Sequence, residues 1–284
     1  MLVELLSKAA TAALLSFVIA SMLATGAALA IGDIIKPLRN VRLVTLVLFA
    51  NFVLMPVTAI FLAKMLWLDE GFGVGLLLLG CAAGAPFLPK LAELAGGDLP
   101  FAVGAMILLT LASVAYLPVA LPLLLPGITV DAWKIARSLV LFMLLPLAAG
   151  LFLKAQYEKW AERLRPIIDR ISNVSLILLI VLITAANLDK VLQVFGTRAI
   201  LAGLLFIALG LVTGWLLGGS DANTKSVMAL GTSSRNIAAA LVVGSQSFSD
   251  PKIVVMIIVV AIVGFIVLIP LSRALGNRGL LQSH

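Results

Sequence analysis

Apolar runs of about twenty residues follow one another along the whole chain, separated by short polar stretches. A helix rises about 1.5 Å per residue, so each run is long enough to cross a hydrocarbon core of about 30 Å. The pattern predicts an all-α integral membrane protein with about nine transmembrane helices. The predicted spans are 9–31, 42–67, 72–95, 100–126, 133–154, 171–188, 198–218, 222–248 and 252–273.

Composition supports this fold class. Of 284 residues, 62% are hydrophobic and 12% are charged, and the mean hydropathy is +1.20. A soluble domain is about a quarter charged. The net charge of +7 does not indicate a nucleic-acid partner, because the basic residues are spread over short loops and form no single polar face. The composition predicts the lipid bilayer as a partner.

The basic residues also predict an orientation. With the N-terminus outside, the inner loops carry eleven Lys and Arg residues, five of them in 154–170, and the outer segments carry seven. Lys and Arg are enriched on the cytoplasmic side. We therefore expect a plasma (inner) membrane protein with an outside N-terminus and a cytoplasmic C-terminus. The charged segment 154–170 is predicted to be an amphipathic cytoplasmic linker between a first half, 1–153, and a second half, 171–284.

Two predicted spans, 72–95 and 222–248, carry helix-breaking residues near their middle. Pro86 and Pro89 interrupt the first, and "GTSS" (231–234) forms a turn-like break in the second. Unwound backbone in a bilayer must be buried in protein or line a wet cavity. Matched interrupted spans in two halves are typical of transporters with inverted repeats, so we expect the two broken helices to meet.

The same residues predict where each second half-helix begins. Pro86 is expected to open the second half of the first broken span, because proline suits the first turn of a helix. Thr232, Ser233 or Ser234 is expected to cap the second half of the other broken span.

The order of several short motifs resembles the bile acid:sodium symporter family. These motifs are "NFVLMP" (51–56), "LGC" (79–81) in a broken span that ends in "LAGGD" (94–98), and "RNIAAAL" (235–241). The resemblance covers the chain from about residue 17 to 275. It implies a panel domain and a core domain that holds two crossing discontinuous helices.

The sodium sites of that family are where this sequence departs from it. The resemblance places Leu88 and Pro89 where sodium-coupled members have Ser-Asn, and Ala102 and Met106 where they have further hydroxyls. Sodium needs several oxygen ligands, and these four side chains supply none. We therefore expect no cofactor and no metal, and no sodium at the family's usual sites.

Positive side chains stand where the ion ligands are missing. The family's Glu-x-x-x-Gln-Asn becomes Gly231 to Asn236, with Arg235 in place of glutamine, and Lys90 directly follows the lost Ser-Asn pair. A charge at bilayer depth is normally paired or functional. We hypothesise that Lys90 and Arg235 are tethered cations that substitute for sodium. Counted against Glu93, the nearby acid, they leave one positive charge for an organic anion.

The candidate substrate-binding residues lie on the two broken spans and on span 42–67. They are Asn51, Pro86, Phe87, Leu88, Pro89, Lys90, Thr232, Ser233, Ser234, Arg235 and Asn236. Structural alternatives exist for three of them. Lys90 could pair with Glu93 at i,i+3 or extend to the surface. Arg235 could bind backbone carbonyls of the first broken helix, and Asn51 could form a helix–helix hydrogen bond.

The leading hypothesis is a secondary-active transporter that moves a small organic anion by alternating access, independently of sodium or coupled to protons. The alternatives are a sodium-coupled symporter with non-standard ligands, and a membrane sensor that binds a ligand without moving it. An enzyme is not expected, because the sequence has no HExxH or GxSxG motif and its one histidine is His284. With Cys81 as the single cysteine, an intramolecular disulfide is excluded.

Overall fold

The computed structural model describes residues 2–28, 40–125, 131–186, 194 and 197–282, and its regular elements in these ranges are all helices. The predicted span ends at 29–31, 126 and 187–188 lie outside the described residues. In chain order the helices are α1 (Leu2–Ala28), α2 (Val41–Met65), α3a (Glu70–Cys81), α3b (Leu88–Leu94), α4 (Leu99–Leu124), α5 (Ala132–Gln156), α6 (Glu158–Ala186), α7 (Ala199–Leu217), α8a (Ala222–Ser233), α8b (Ile237–Ser247) and α9 (Pro251–Gln282).

Seven segments of the described chain are long and apolar enough to cross a membrane: α1, α2, α4, α5, α7, α8a with α8b, and α9. This confirms the predicted all-α integral membrane fold. The interrupted segment 70–94 and α6 are not among the seven, so the count of nine spans stays a prediction.

The segment 154–170 is not separate from the helices that flank it. α5 ends at Gln156, and α6 runs without a break from Glu158 to Ala186, so the predicted boundary at 170 falls inside a helix. The Lys154 ammonium lies 2.9 Å from the carboxylate of Glu158 and 3.1 Å from that of Glu162, and these ion pairs hold the corner between α5 and α6.

The helices form two groups. In the first, α1 packs on α5 and α6. Gly26 of α1 and Gly150 of α5 face each other so closely that a Cβ atom on Gly26 would lie 3.0 Å from the Gly150 Cα atom. The second group contains α2, α3, α4, α7, α8 and α9 and includes both broken segments. α8 is the most enclosed span, with 94% of its apolar window buried against at most 50% in the other six.

A row of glycines joins α7 to α8a. Gly210 and Gly214 in α7 and Gly218 at its end recur every fourth residue and therefore lie on one face. A Cβ atom at any of the three would come within 2.8 Å of a main-chain carbon of α8a. The two backbones thus contact each other directly over three turns, as small residues allow in membrane helices.

The two broken segments have the same construction. Each begins after an aspartate N-cap, where Asp69 accepts a hydrogen bond from the Gly71 N–H and Asp221 accepts one from the Thr224 N–H. The first half-helix is 12 residues long in both. This likeness agrees with the predicted pair of interrupted repeats.

Candidate functional site

The first broken segment unwinds between Cys81 and Leu88. Residues 82–85 form no regular secondary structure, and α3b then begins at Leu88 with Pro89 in its first turn. The prediction that Pro86 opens this half-helix is wrong, because Pro86 lies in the turn before it. Pro89 has that role, since a first-turn residue needs no backbone donor.

The second broken segment unwinds later than predicted. Thr232 and Ser233 are still part of α8a, and Ser234 is its C-cap. The cap of α8b is Asn236, whose side-chain oxygen accepts a hydrogen bond from the Ala239 N–H at 3.0 Å. The prediction of a cap at Thr232, Ser233 or Ser234 is therefore wrong. Within the helix, the Ser233 hydroxyl donates back to carbonyls of its own turn.

The two unwound stretches cross and are hydrogen-bonded to each other. The Asn236 backbone N–H donates to the Ala82 carbonyl at 2.9 Å, and the Asn236 side-chain amide donates to the Gly84 carbonyl at 3.1 Å. Asn236 is fully buried. One residue therefore caps α8b and joins it to the unwound part of α3, which confirms the predicted crossing.

Helix α4 supports the unwound stretch from the other side. The Ser113 hydroxyl accepts a hydrogen bond from the Ala83 N–H at 2.9 Å and lies 3.0 Å from the Ala83 carbonyl oxygen, to which it donates. The Thr110 hydroxyl donates to the Gly84 carbonyl at 2.9 Å. Sequence reasoning missed both residues. Their available signal was two hydroxyls spaced i,i+3 in an otherwise apolar span.

Arg235 is the central polar residue of the crossing. Its side chain is only 6% exposed. Nε donates to the Leu79 carbonyl at 2.8 Å, Nη2 to the Gly80 carbonyl at 2.6 Å, and Nη1 to the Thr232 carbonyl at 3.1 Å and the Asn51 side-chain oxygen at 2.7 Å. Four of the five guanidinium donors are thereby occupied.

These contacts give the guanidinium a defined electrostatic role. Leu79 and Gly80 lie in the last turn of α3a, and Thr232 lies in the last turn of α8a. A helix C-terminus carries partial negative charge on its unpaired carbonyls. Arg235 thus binds the C-terminal ends of α3a and α8a. The bonds to α3a agree with the structural alternative of carbonyl capping, and the bond to α8a was not predicted. No carboxylate of the described chain pairs with Arg235.

Asn51 holds the guanidinium from α2. It lies in a π-helical turn, 50–54, with its side-chain amide donating to the Val47 carbonyl. Pro56 lacks the N–H that would bind the Phe52 carbonyl, and the Tyr116 hydroxyl donates to that carbonyl instead, at 2.7 Å. The hydrogen bond of Asn51 thus joins α2 to the unwound link between α8a and α8b, instead of to a second helix.

The residues at the family's sodium positions do not fit sodium. Leu88, Ala102 and Met106 are buried apolar side chains, and Pro89 offers no side-chain oxygen. Carbonyls at the two half-helix ends, which sodium could have used, already accept hydrogen bonds from Arg235. The cation at the crossing is therefore the guanidinium of Arg235, which is part of the chain.

A cavity of about 470 Å³ lies beside the crossing, between the two groups of helices. Seven of the eleven candidate residues line it: Pro86, Phe87, Pro89, Lys90, Ser233, Ser234 and Arg235. The other four, Asn51, Leu88, Thr232 and Asn236, are buried behind its wall. Thr232 and Ser234 each carry a buried hydroxyl without a hydrogen-bond partner in the described structure. Of these two, Ser234 lies on the cavity wall.

Lys90 lies away from the crossing, at the exposed edge of this cavity. Its side chain is 54% exposed, and its ammonium lies 2.8 Å from the Glu93 carboxylate. The predicted i,i+3 pair is confirmed. The hypothesis of two cations in the crossing thus fits the position of Arg235 and not that of Lys90, whose charge Glu93 balances.

The remaining charges on the cavity wall also form a pair. Arg165 and Asp169 of α6 lie 3.7 Å apart, and each is about half exposed. Among the charged lining residues that the structure describes, Arg235 alone lacks an acidic partner. The cavity therefore carries one excess positive charge, located at its buried end.

Comparison with known proteins gives the family. The chain is 28% identical over 243 residues to the "Probable sodium/metabolite cotransporter BASS1, chloroplastic" of Arabidopsis thaliana, a match that covers 81% of this chain and 58% of that protein. It is 25% identical over 205 residues to the "Uncharacterized sodium-dependent transporter YocS" of Bacillus subtilis (strain 168), covering 69% and 60%. The chain thus spans about three fifths of the length of these relatives. The model of the Sodium Bile acid symporter family matches residues 13–194, more than half of the chain. The protein belongs to the sodium bile acid symporter family.

Proposed function

We propose that this protein is a secondary-active membrane transporter of a small organic anion, and that Arg235 replaces the bound sodium of its relatives. The name of one relative describes sodium/metabolite cotransport, and the name of the other describes a sodium-dependent transporter. They name no enzyme, in agreement with the absence of catalytic motifs. The observation that carries the proposal is the guanidinium of Arg235, which donates to carbonyls at the C-terminal ends of α3a and α8a and has no acidic partner among the described residues.

The proposal has a direct electrostatic basis. A sodium ion at the ends of two half-helices neutralises their carbonyl dipoles and leaves positive charge for an anionic substrate. A guanidinium does the same without dissociating. Four of its donors are used within the protein, and one Nη2 hydrogen remains for a ligand. The unpaired Ser234 hydroxyl on the same wall is a second donor for that ligand.

The position of the cavity supports alternating access. The cavity lies between the group of α1, α5 and α6 and the group that contains the crossing, so movement of one group against the other would close it. Its exposed edge carries Lys90 and Arg165. We place the protein in the plasma (inner) membrane with its C-terminus in the cytoplasm. In this orientation the exposed edge of the cavity faces the cytoplasm, and the conformation is inward-open.

The test is uptake by purified protein in liposomes, with a panel of carboxylates from pyruvate to taurocholate, in sodium buffer and in choline buffer. We expect uptake of at least one carboxylate at equal rates in both buffers. Arg235→Gln should lower that rate at least about tenfold, because it removes about 1.4 kcal/mol or more of anion stabilisation. Arg198→Gln, which changes an exposed arginine, is the matched control. A strict sodium requirement in the unaltered protein, or undiminished uptake by Arg235→Gln, would refute the proposal.

A further inference from the structure

The first part of α6 carries a row of basic side chains on one face. Lys159, Arg163 and Arg170 are spaced i, i+4 and i+11, which places them within about 40° of one another around a helix of 3.6 residues per turn. All three are exposed, and none has an ion pair or side-chain hydrogen bond within the described part of the chain.

The acidic residues of the same segment lie to one side of that row. Glu158 and Glu162 both bind Lys154 of α5, and Asp169 binds Arg165. On the helix these acids are displaced by about 60° to 100° from Lys159. The segment therefore separates its charges, with the three acids and their partners Lys154 and Arg165 toward α5 and the cavity, and with Lys159, Arg163 and Arg170 toward the surroundings.

The same face becomes apolar further along α6. Val174, Ile177 and Val181 lie within about 60° of the basic row, and each is more than half exposed, at 58%, 63% and 57%. Arg170 and Ile177 are about 10 Å apart along the helix axis, from seven residues at about 1.5 Å each. A molecule with an anionic group at one end and hydrocarbon chains at the other matches this order of side chains.

We propose that this face of α6, which we call the α6 lipid face (Lys159, Arg163, Arg170, Val174, Ile177 and Val181), binds an anionic phospholipid of the surrounding membrane. The phosphate group lies between Arg163 and Arg170, with Lys159 adding attraction from about 6 Å further along the helix axis, and the acyl chains follow the apolar residues toward the bilayer interior. Because α6 packs on α1, the lipid stabilises the first helix group. The proposal does not rest on transport.

The test compares lipids of opposite headgroup charge on purified full-length protein in detergent. Dioleoyl phosphatidylglycerol is expected to raise the thermal unfolding midpoint by several degrees more than dioleoyl phosphatidylcholine, and to remain bound in native mass spectrometry. The triple variant Lys159→Gln/Arg163→Gln/Arg170→Gln should bind phosphatidylglycerol at least about tenfold more weakly. The control triple Lys64→Gln/Lys134→Gln/Arg137→Gln removes three exposed cations elsewhere and should leave this binding unchanged.

Two further arms separate the lipid from other anions. Soluble glycerol 3-phosphate, which has the headgroup charge without acyl chains, should give no stabilisation at the same concentration. Rising salt should weaken the phosphatidylglycerol effect, because exposed charges are screened. Equal stabilisation by phosphatidylcholine or by glycerol 3-phosphate would overturn the proposal. So would full phosphatidylglycerol binding by the α6 triple variant, or an equal loss in the control triple.

Discussion

At Gly84 the unwound part of α3 adopts a φ of +84°, and a Cβ atom there would lie 2.8 Å from the Met106 carbonyl oxygen of α4. Gly84→Ala combines left-handed strain with a main-chain overlap, so we expect a loss of about 2 kcal/mol or more in unfolding free energy. Gly96→Ala is the matched control. Gly96 also has a positive φ, +62°, but its Cβ would meet nothing within 4 Å, and the expected loss is about 1 kcal/mol. Equal thermal unfolding midpoints for the two variants would show that the contact with α4 does not matter.

The sequence predicted some of the residues at the crossing and missed others. Arg235 was identified because a cation in an apolar run has few purely structural explanations. The cap was misplaced because "TSSRN" offers several side chains that can cap a helix, and only backbone dihedrals decide that Asn236 does so. Ser113 and Thr110 were missed because a lone hydroxyl in a membrane helix can bind its own preceding carbonyl, and nothing in the sequence says otherwise.

At the level of elements, α3b and α6 face each other across the edge of the cavity, each with an ion pair. The chain leaves the crossing along α3b, so Lys90 is nearer the crossing than Glu93. Along α6 the chain runs from the edge of the cavity toward the crossing, so Asp169 is nearer the crossing than Arg165. On α3b the cation is therefore nearer the crossing and the acid nearer the edge, and on α6 this order is reversed. The two charges are three residues apart on α3b and four residues apart on α6. If the cavity closes, Lys90 can pair with Asp169 and Glu93 with Arg165.

Inverting either pair tests this partner exchange. Lys90→Glu/Glu93→Lys keeps its local ion pair and the net charge but sets like charges against α6 on closure. We expect carboxylate uptake about fivefold slower, equivalent to about 1 kcal/mol. Arg165→Asp/Asp169→Arg should have the same effect, and the two inversions together should restore the rate. A quadruple variant as slow as the double variants would exclude the exchange.

Elements were predicted well where several helix-breaking residues cluster. Pro86 and Pro89 lie close to Gly80 and Gly84 and together predicted the interruption of 72–95, whereas the single Pro166 lies inside the continuous α6. The continuity of α6 was not predicted, because the charges of 154–170 resemble those of a loop. Their pairing at i,i+4 and with Lys154 becomes visible only once α5 and α6 meet.

The two ends of the molecule differ, because one carries the exposed edge of the cavity and the other is held together by an ion pair. At the end opposite the cavity edge, the start of α3a is joined to the start of α9 by the Lys252 ammonium, 2.8 Å from the Asp69 carboxylate. The hydrogen bond from Lys252 is the main cause that lowers the pKa of Asp69 below 3.8, its usual value. The carboxylate therefore stabilises the fold above about pH 3.8, and that contribution is lost as the pH falls further through the lowered pKa.

Asp69→Asn tests this link, because asparagine keeps the N-cap and removes the charge. The pair is 42% exposed at Asp69, so the expected loss in unfolding free energy at pH 7 is at most about 1 kcal/mol. The difference in thermal unfolding midpoint from the unaltered protein should shrink as the pH approaches 3. Asp131→Asn, at an N-cap without an ion pair among the described residues, is the matched control for removal of an N-cap charge. A difference that stays constant from pH 7 to pH 3 would contradict the assignment.

The glycines of α7 have one more consequence for the whole molecule. Gly210, Gly214 and Gly218 bring the backbones of α7 and α8a into direct contact. One helix could move along the other only by separating from it and shifting by a full turn. α7 and α8a must therefore travel as one rigid body in any conformational cycle. The distance between a spectroscopic label on α7 and one on α8a should therefore stay constant. It can serve as the reference for measuring the displacement of the other helices.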